Sequence, residues 1–213
     1  MSFFKENRQK KLFALAGKYY NSHKSDNLHD FDHIVRVVWW IDFLSKKEKA
    51  DASITIPAAI LHDIAIPIVG DENHAREGAK LCKPFLRKCG YNRDEIEKIA
   101  ETVLMHSTDD VNPPKTLEAK VMFDADKLDT VGLIGLHRWF FEYAKKGYKN
   151  YEATKKTLIH LNKWKKIYGN PPFFTKTAKK ISVKKFRYLE KICNEILKDY
   201  KKFDEIYKEA GLK

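Results

Sequence analysis

Four residues of this chain have the types and the order of a metal-ligand set: His33, His62, Asp63 and Asp126. Imidazole and carboxylate donors together suit Mn, Fe, Co, Ni or Zn better than an all-oxygen calcium site would. Two neutral imidazoles and two carboxylates balance the charge of one divalent ion. Open coordination positions could then take a water and a substrate oxygen. Taken singly, each residue reads equally well as a core histidine or a capping aspartate. Their surroundings join them: His29-Asp30-x-x-His33-x-x-Arg36-Val37, then Ala58-Ala59-Ile60-Leu61-His62-Asp63-Ile64, then Asp124-Ala125-Asp126-Lys127-Leu128-Asp129-x-x-Gly132.

Side chains near these four are further candidates. Arg36 follows His33 by one turn, and its guanidinium could hold a phosphate or orient a ligating carboxylate. Lys127 could neutralise a bound phosphate or lie on the surface. His74 and His106 carry three readings: contact with substrate phosphate or proton donation to a leaving group, ligation of a second ion, or a structural role. Asp124 and Asp129 flank Asp126, and one of them could orient a ligand histidine from behind. Asp71 reads first as a helix cap, with Glu72 beside it on the same loop. Asp30 reads as the cap before His33. No role follows for His29, and His23, His137 and His160 lie outside the pattern.

This series of motifs resembles the HD-domain superfamily of metal-dependent phosphohydrolases, over about residues 29–140. The resemblance implies a compact all-α, multi-helix bundle. It implies a divalent cofactor (Mn, Mg, Co, Ni, Fe or Zn, with Mn favoured), one per chain, held by His33, His62, Asp63 and Asp126. It also implies hydrolysis of a nucleotide or other small phosphoester, including cleavage of a nucleoside triphosphate to monophosphate and pyrophosphate. On that reading Asp63, His74, His106 and Lys127 serve catalysis, and Arg36, His74, His106 and Lys127 contact substrate. Alternatives are a phosphodiesterase, a di-iron oxygenase completed by His74 and His106, or a non-catalytic nucleotide or nucleic-acid binder.

The elements that must position these residues read as helices throughout. Helices are expected over 5–20, 30–48, from Ser53 or Thr55 to His62-Asp63 with Pro57 in the first turn, 72–89 capped by Asp71 and closed by Gly90, 94–106, 117–128, 131–147, 150–167 and 175–208, the last as one long helix or a broken pair. Pro67 to Gly70, Asp109 to Pro114 and Gly169 to Pro172 read as breaks. The 213 residues fit a single domain of the HD type, with a metal-binding core at 29–140 and a basic helical part at 141–213 packed on it. No apolar run is expected to span a bilayer, and no signal-peptide core opens the chain. A cytoplasmic protein with reduced Cys82, Cys89 and Cys193 and no membrane partner is expected.

Charge is unevenly placed. Residues 1–140 hold 21 basic and 21 acidic residues, while 141–213 hold 20 and 8, so the whole net charge of +12 lies in the second stretch. A solvated lysine face is the plain reading, gathering of phosphorylated substrate the next, and nucleic-acid binding the least supported. If the lysines gather substrate, their field is screened over roughly 10 Å at 0.1 M salt. Raising salt should then raise KM several-fold and leave kcat nearly unchanged. Reversing Lys179, Lys180, Lys184 and Lys185 to Glu should reproduce that at low salt. A KM indifferent to both makes the lysines a solvated face.

Overall fold

The computed structural model describes residues 3–23, 29–107, 113–168 and 173–211, without the side chains of 164–168. The described residues form helices and no strand, as the all-α reading requires. The chain divides into two compact units, residues 1–129 with 174–178, and residues 130–173 with 179–213.

The first unit is built around its most apolar helix. Its helices are α1 (Asn7–Ser22), α2 (Phe31–Glu48), α3 (Ala52–Leu61), α4 (Ile66–Val69), α5 (His74–Lys88), α6 (Arg93–Leu104) and α7 (Leu117–Asp129). α3 packs against α1, α2, α6 and α7, and every residue from Ile54 to Leu61 is buried. Each fully buried Ile or Leu there contributes about 1.5–3 kcal/mol of transfer free energy. A helix apolar on all sides is either the centre of a core or a membrane span. The 18 residues Ala52–Val69, mean hydropathy 1.7, are long and apolar enough to have crossed a membrane, which amends the expectation above. In this fold 72% of that stretch is buried, and the helix breaks at His62.

Several local expectations shift. Asp51 caps α3, its carboxylate accepting from the Ser53 N–H at 2.8 Å, so Pro57 lies inside the helix instead of in its first turn. α5 begins at His74 behind Asn73, which takes a left-handed φ of 61°, so Asp71 is not the cap. Asn92 and Glu95 form a capping box for α6. The Pro67 break contains the short helix α4. Asp30 does cap α2. The loop expected at Asp109–Pro114 lies largely, and that at Gly169–Pro172 wholly, outside the described residues.

Close packing brings α5 to the end of α3. A Cβ on Gly78 would stand 3.1 Å from the His62 carbonyl oxygen and 3.4 Å from Val103 Cγ1. The missing side chain is what allows that approach. Asp124, buried, accepts the backbone N–H groups of Phe174 at 2.8 Å and Thr175 at 2.6 Å. It therefore secures the start of α10 (Lys176–Glu209) and does not orient a site histidine.

The second unit contains α8 (Gly132–Lys145), α9 (Asn150–Tyr168) and most of α10, which runs unbroken for 34 residues. Buried Ser182, Phe186, Leu189 and Cys193 recur at helical spacing along α10. Lys179, Lys180 and Lys184 are exposed. Lys185 differs, because its ammonium donates to the Val131 carbonyl at 3.2 Å. It drops out of any clean charge-reversal set.

Candidate metal centre

Helix ends deliver the candidate ligands. His33 sits in the first turn of α2, and Asp30 accepts its backbone N–H at 2.8 Å. His62 is the C-cap of α3 and Asp63 follows it. His74 opens α5, His106 follows the C-cap of α6, and Asp126 lies in the last turn of α7. All six are buried.

Each of the four imidazoles is tied back through Nδ1. His33 Nδ1 donates to Asp129 Oδ2 at 2.9 Å. His62, His74 and His106 donate to the carbonyls of Ala59 (2.9 Å), Asp71 (2.5 Å) and Val103 (2.6 Å). A neutral imidazole with its proton on Nδ1 presents a lone pair at Nε2. The Nε2 atoms of His33 and His62 stand 3.3 Å apart, and those of His74 and His106 3.1 Å apart. Facing lone pairs repel unless a proton or a cation lies between them.

The carboxylates complete the cluster. Asp126 Oδ1 lies 3.3 Å from His33 Nε2. Asp63 Oδ2 lies 3.1 Å from His62 Nε2 and 3.5 Å from His33 Nε2. Asp63 Oδ1 faces the other pair, 3.4 Å from His106 Nε2 and 3.7 Å from His74 Nε2. Asp63 Oδ2 is buried yet accepts no well-aligned hydrogen bond from any described residue. Such an orphaned oxygen among convergent nitrogens fits a cation. Two groups have donor atoms within 4.8 Å of one another: His33, His62 and Asp126, and His62, Asp63 and His106. His62 belongs to both, and Asp63 faces both sides.

Behind the ligands runs a supporting layer. Arg36 Nε donates to Asp129 Oδ1 at 2.8 Å and Oδ2 at 3.1 Å, and Asp129 holds His33. Of the two roles open to Arg36, the geometry shows it orienting a carboxylate, one that fixes a ligand without being one. Lys127 Nζ donates to Asp126 Oδ2 at 2.6 Å. Its charge is therefore spent first on a ligand carboxylate. The choice between Asp124 and Asp129 falls to Asp129. The spacing that marks Asp129 is its position one turn after Asp126, at the end of α7 beside α2.

Charge coupling is strong. Burial, the largest influence on Asp63 and Asp126, would raise their pKa values. His62 and His106 around Asp63, and Lys127 and His33 around Asp126, outweigh it and hold both carboxylates well below the usual range. Burial pulls His62 down, but Asp63 beside it lifts it above an ordinary histidine. Burial pushes His106 down to about 4, so its ring is neutral at pH 7.

A family model for the HD domain matches residues 30–131. Those residues carry an HD domain. An HD-superfamily hydrolase of known structure from Bacillus thuringiensis is 25% identical, with a TM-score of 0.72 over 93% of this chain and 99% of that one. Bacillus subtilis YpgQ, solved in complex with ADP, is 22% identical in the structural comparison, with a TM-score of 0.69 over 90% and 94% of the two chains. By sequence, YpgQ is 25% identical over 175 residues, 80% of this chain and 84% of its own length.

Replacing Asp63 by Ala should reduce the metal measured by elemental analysis to background while helical content persists. Asp129→Asn should weaken metal affinity by about 10–100-fold, as loss of a group that orients a ligand does. Full occupancy in Asp63→Ala would overturn the ligand set.

Metal binding through Nε2 requires the singly protonated form of His62, whose pKa Asp63 raises. Affinity should therefore fall as pH drops through that residue's raised pKa, and binding near neutrality should release protons. Calorimetry in buffers of different ionisation enthalpy reads this. A heat independent of buffer contradicts it.

Proposed function

We propose that this HD-domain protein is a metal-dependent phosphohydrolase whose substrate is a nucleotide. The observation that carries the reading is the convergence of Nε2 lone pairs on Asp63. His33, His62, Asp63 and Asp126 would hold the ion. When bound, the ion lowers the pKa of a water and polarises a phosphoryl oxygen.

The protein's own groups then have distinct tasks. The carboxylates of Asp63 and Asp126, ionised in the buried site, keep the donor set anionic. Asp129 and Arg36 fix the direction of His33. His74 and His106 face the other carboxylate oxygen of Asp63. There His74 can contact a phosphoryl oxygen or return a proton to the departing oxygen. His106, neutral with its lone pair at Nε2, can accept a proton from the attacking water. The in-line step forms one P–O bond to water oxygen and breaks one to the leaving group, which takes up a proton. Lys127 offsets the charge of Asp126 and of the phosphate beside it. The nucleotide class is supported by the ADP complex of YpgQ, a relative of the same fold.

The 3.1 Å approach of His74 Nε2 to His106 Nε2 favours a second reading, in which these two and Asp63 Oδ1 hold another ion. On that reading the same scaffold could hold two irons and activate oxygen.

One experiment separates the readings. Protein reconstituted in excess manganese is assayed for ions per chain and screened against nucleotides and phosphoesters with product identification. Close to one ion and release of phosphate or pyrophosphate support the mononuclear phosphohydrolase. Two tightly held ions, one of them lost in His106→Ala, establish the binuclear site. A parallel reconstitution in ferrous iron that gives two irons per chain with oxygen consumption, and no phosphate release with either metal, overturns the hydrolase.

A further inference from the structure

The ligand residues are sealed, each exposed by 6% or less. A phosphate chain cannot lie wholly among side chains so buried. Only its reacting end reaches them, and the remaining phosphoryl oxygens must find partners at the mouth.

His29 stands at the rim of that buried cluster. It is half-buried where the six residues beneath it are closed off. Its ring centroid lies 6.1 Å from that of His33 and 6.5 Å from that of His74. Ring separations within the centre are shorter, 5.2 Å for His33 and His62, 4.9 Å for His62 and His106, and 5.0 Å for His74 and His106. His29 is thus beside the donor cluster and outside it, adjoining both its halves. Its place is fixed from the backbone. Asp30, the next residue, caps α2 through the His33 N–H, which ties residue 29 to the helix end that carries His33. The ring is also near enough to Asp63 to help keep that carboxylate ionised, behind the larger effects of His62 and His106 and against that of burial.

We propose that His29 is a substrate-binding residue, donating a hydrogen bond from its imidazole to a non-reacting phosphoryl oxygen of a nucleotide whose terminal phosphate sits at the metal centre. The assignment rests on the phosphohydrolase reading above. It gives His29-Asp30-x-x-His33 a division of labour: His29 for the substrate, Asp30 for the helix, His33 for the ion.

The test is calorimetric, on full-length protein loaded with manganese, with ADP and inorganic pyrophosphate as separate probes. His29→Ala should weaken both probes by about tenfold or more, the scale of a hydrogen bond to a charged group. Manganese affinity should be unchanged, and His29→Gln, which keeps one donor, should recover part of the loss. Unchanged affinity for both probes overturns the proposal. Weakened ADP with unchanged pyrophosphate overturns it by moving the contact to the base or ribose. A loss of manganese affinity in His29→Ala overturns it by making His29 a ligand. If wild-type protein with manganese bound takes up neither probe, the nucleotide reading itself fails and this assignment with it.

Discussion

Four histidine Nδ1 hydrogen bonds set the terms for the rest of this fold. Three end on a backbone carbonyl three residues back, and one ends on Asp129. Each one fixes a ring plane and turns a lone pair inward. A buried histidine usually disposes of both nitrogens in separate directions. Here the second nitrogens meet in pairs at 3.1 and 3.3 Å, an arrangement that is repulsive without a positive charge. Burial makes the repulsion worse, because the low local dielectric screens little. The hydrogen-bond pattern therefore turns inward donor atoms that a cation between them would reconcile.

Helix ends explain how that pattern is reached. A residue just past a helix C-terminus has a free carbonyl three positions back, and His62 and His106 use such carbonyls at the ends of α3 and α6. His33 and His74 enter from helix N-termini. Termini supply ligands without breaking a hydrogen-bonded helix interior. They also require the ends of several helices to meet within a few ångströms. The central α3 is apolar enough to anchor that meeting, and Gly78 lets α5 close on the His62 carbonyl.

The helical class, the order of the elements and the six buried donors were legible in the sequence, because hydrophobic period and motif context report them directly. The supporting layer was not. Asp124 and Asp129 are equally acidic neighbours of Asp126, yet one caps α10 and the other holds His33. Their separation depends on which face of α7 meets α2. Arg36 carried two readings for the same reason, since its partner is 93 residues away. Pro57 was misplaced because a proline reads locally as a helix start, whereas the cap lies at Asp51, six residues earlier. Asp71 reads as a cap by type, but its carbonyl serves His74 instead. His29 had no role in the sequence because its meaning lies in its distance from His74, 45 positions later and on a different helix.

A proton and a metal ion compete for the same place in this protein, and that competition links its electrostatics to its chemistry. Without an ion, Asp63 lifts the pKa of His62 above that of an ordinary histidine, against the pull of burial. With an ion, the same carboxylate is freed to ligate, and its other oxygen still faces His106 and His74. Asp63 is thus the residue through which occupancy of one side is felt on the other. Because burial keeps His106 neutral at pH 7, it can accept a proton, or share an ion with His74, without first giving up a charge of its own. A neutral ring beside Asp63 Oδ1 suits either use, so the one geometry of the histidine pair is open to both.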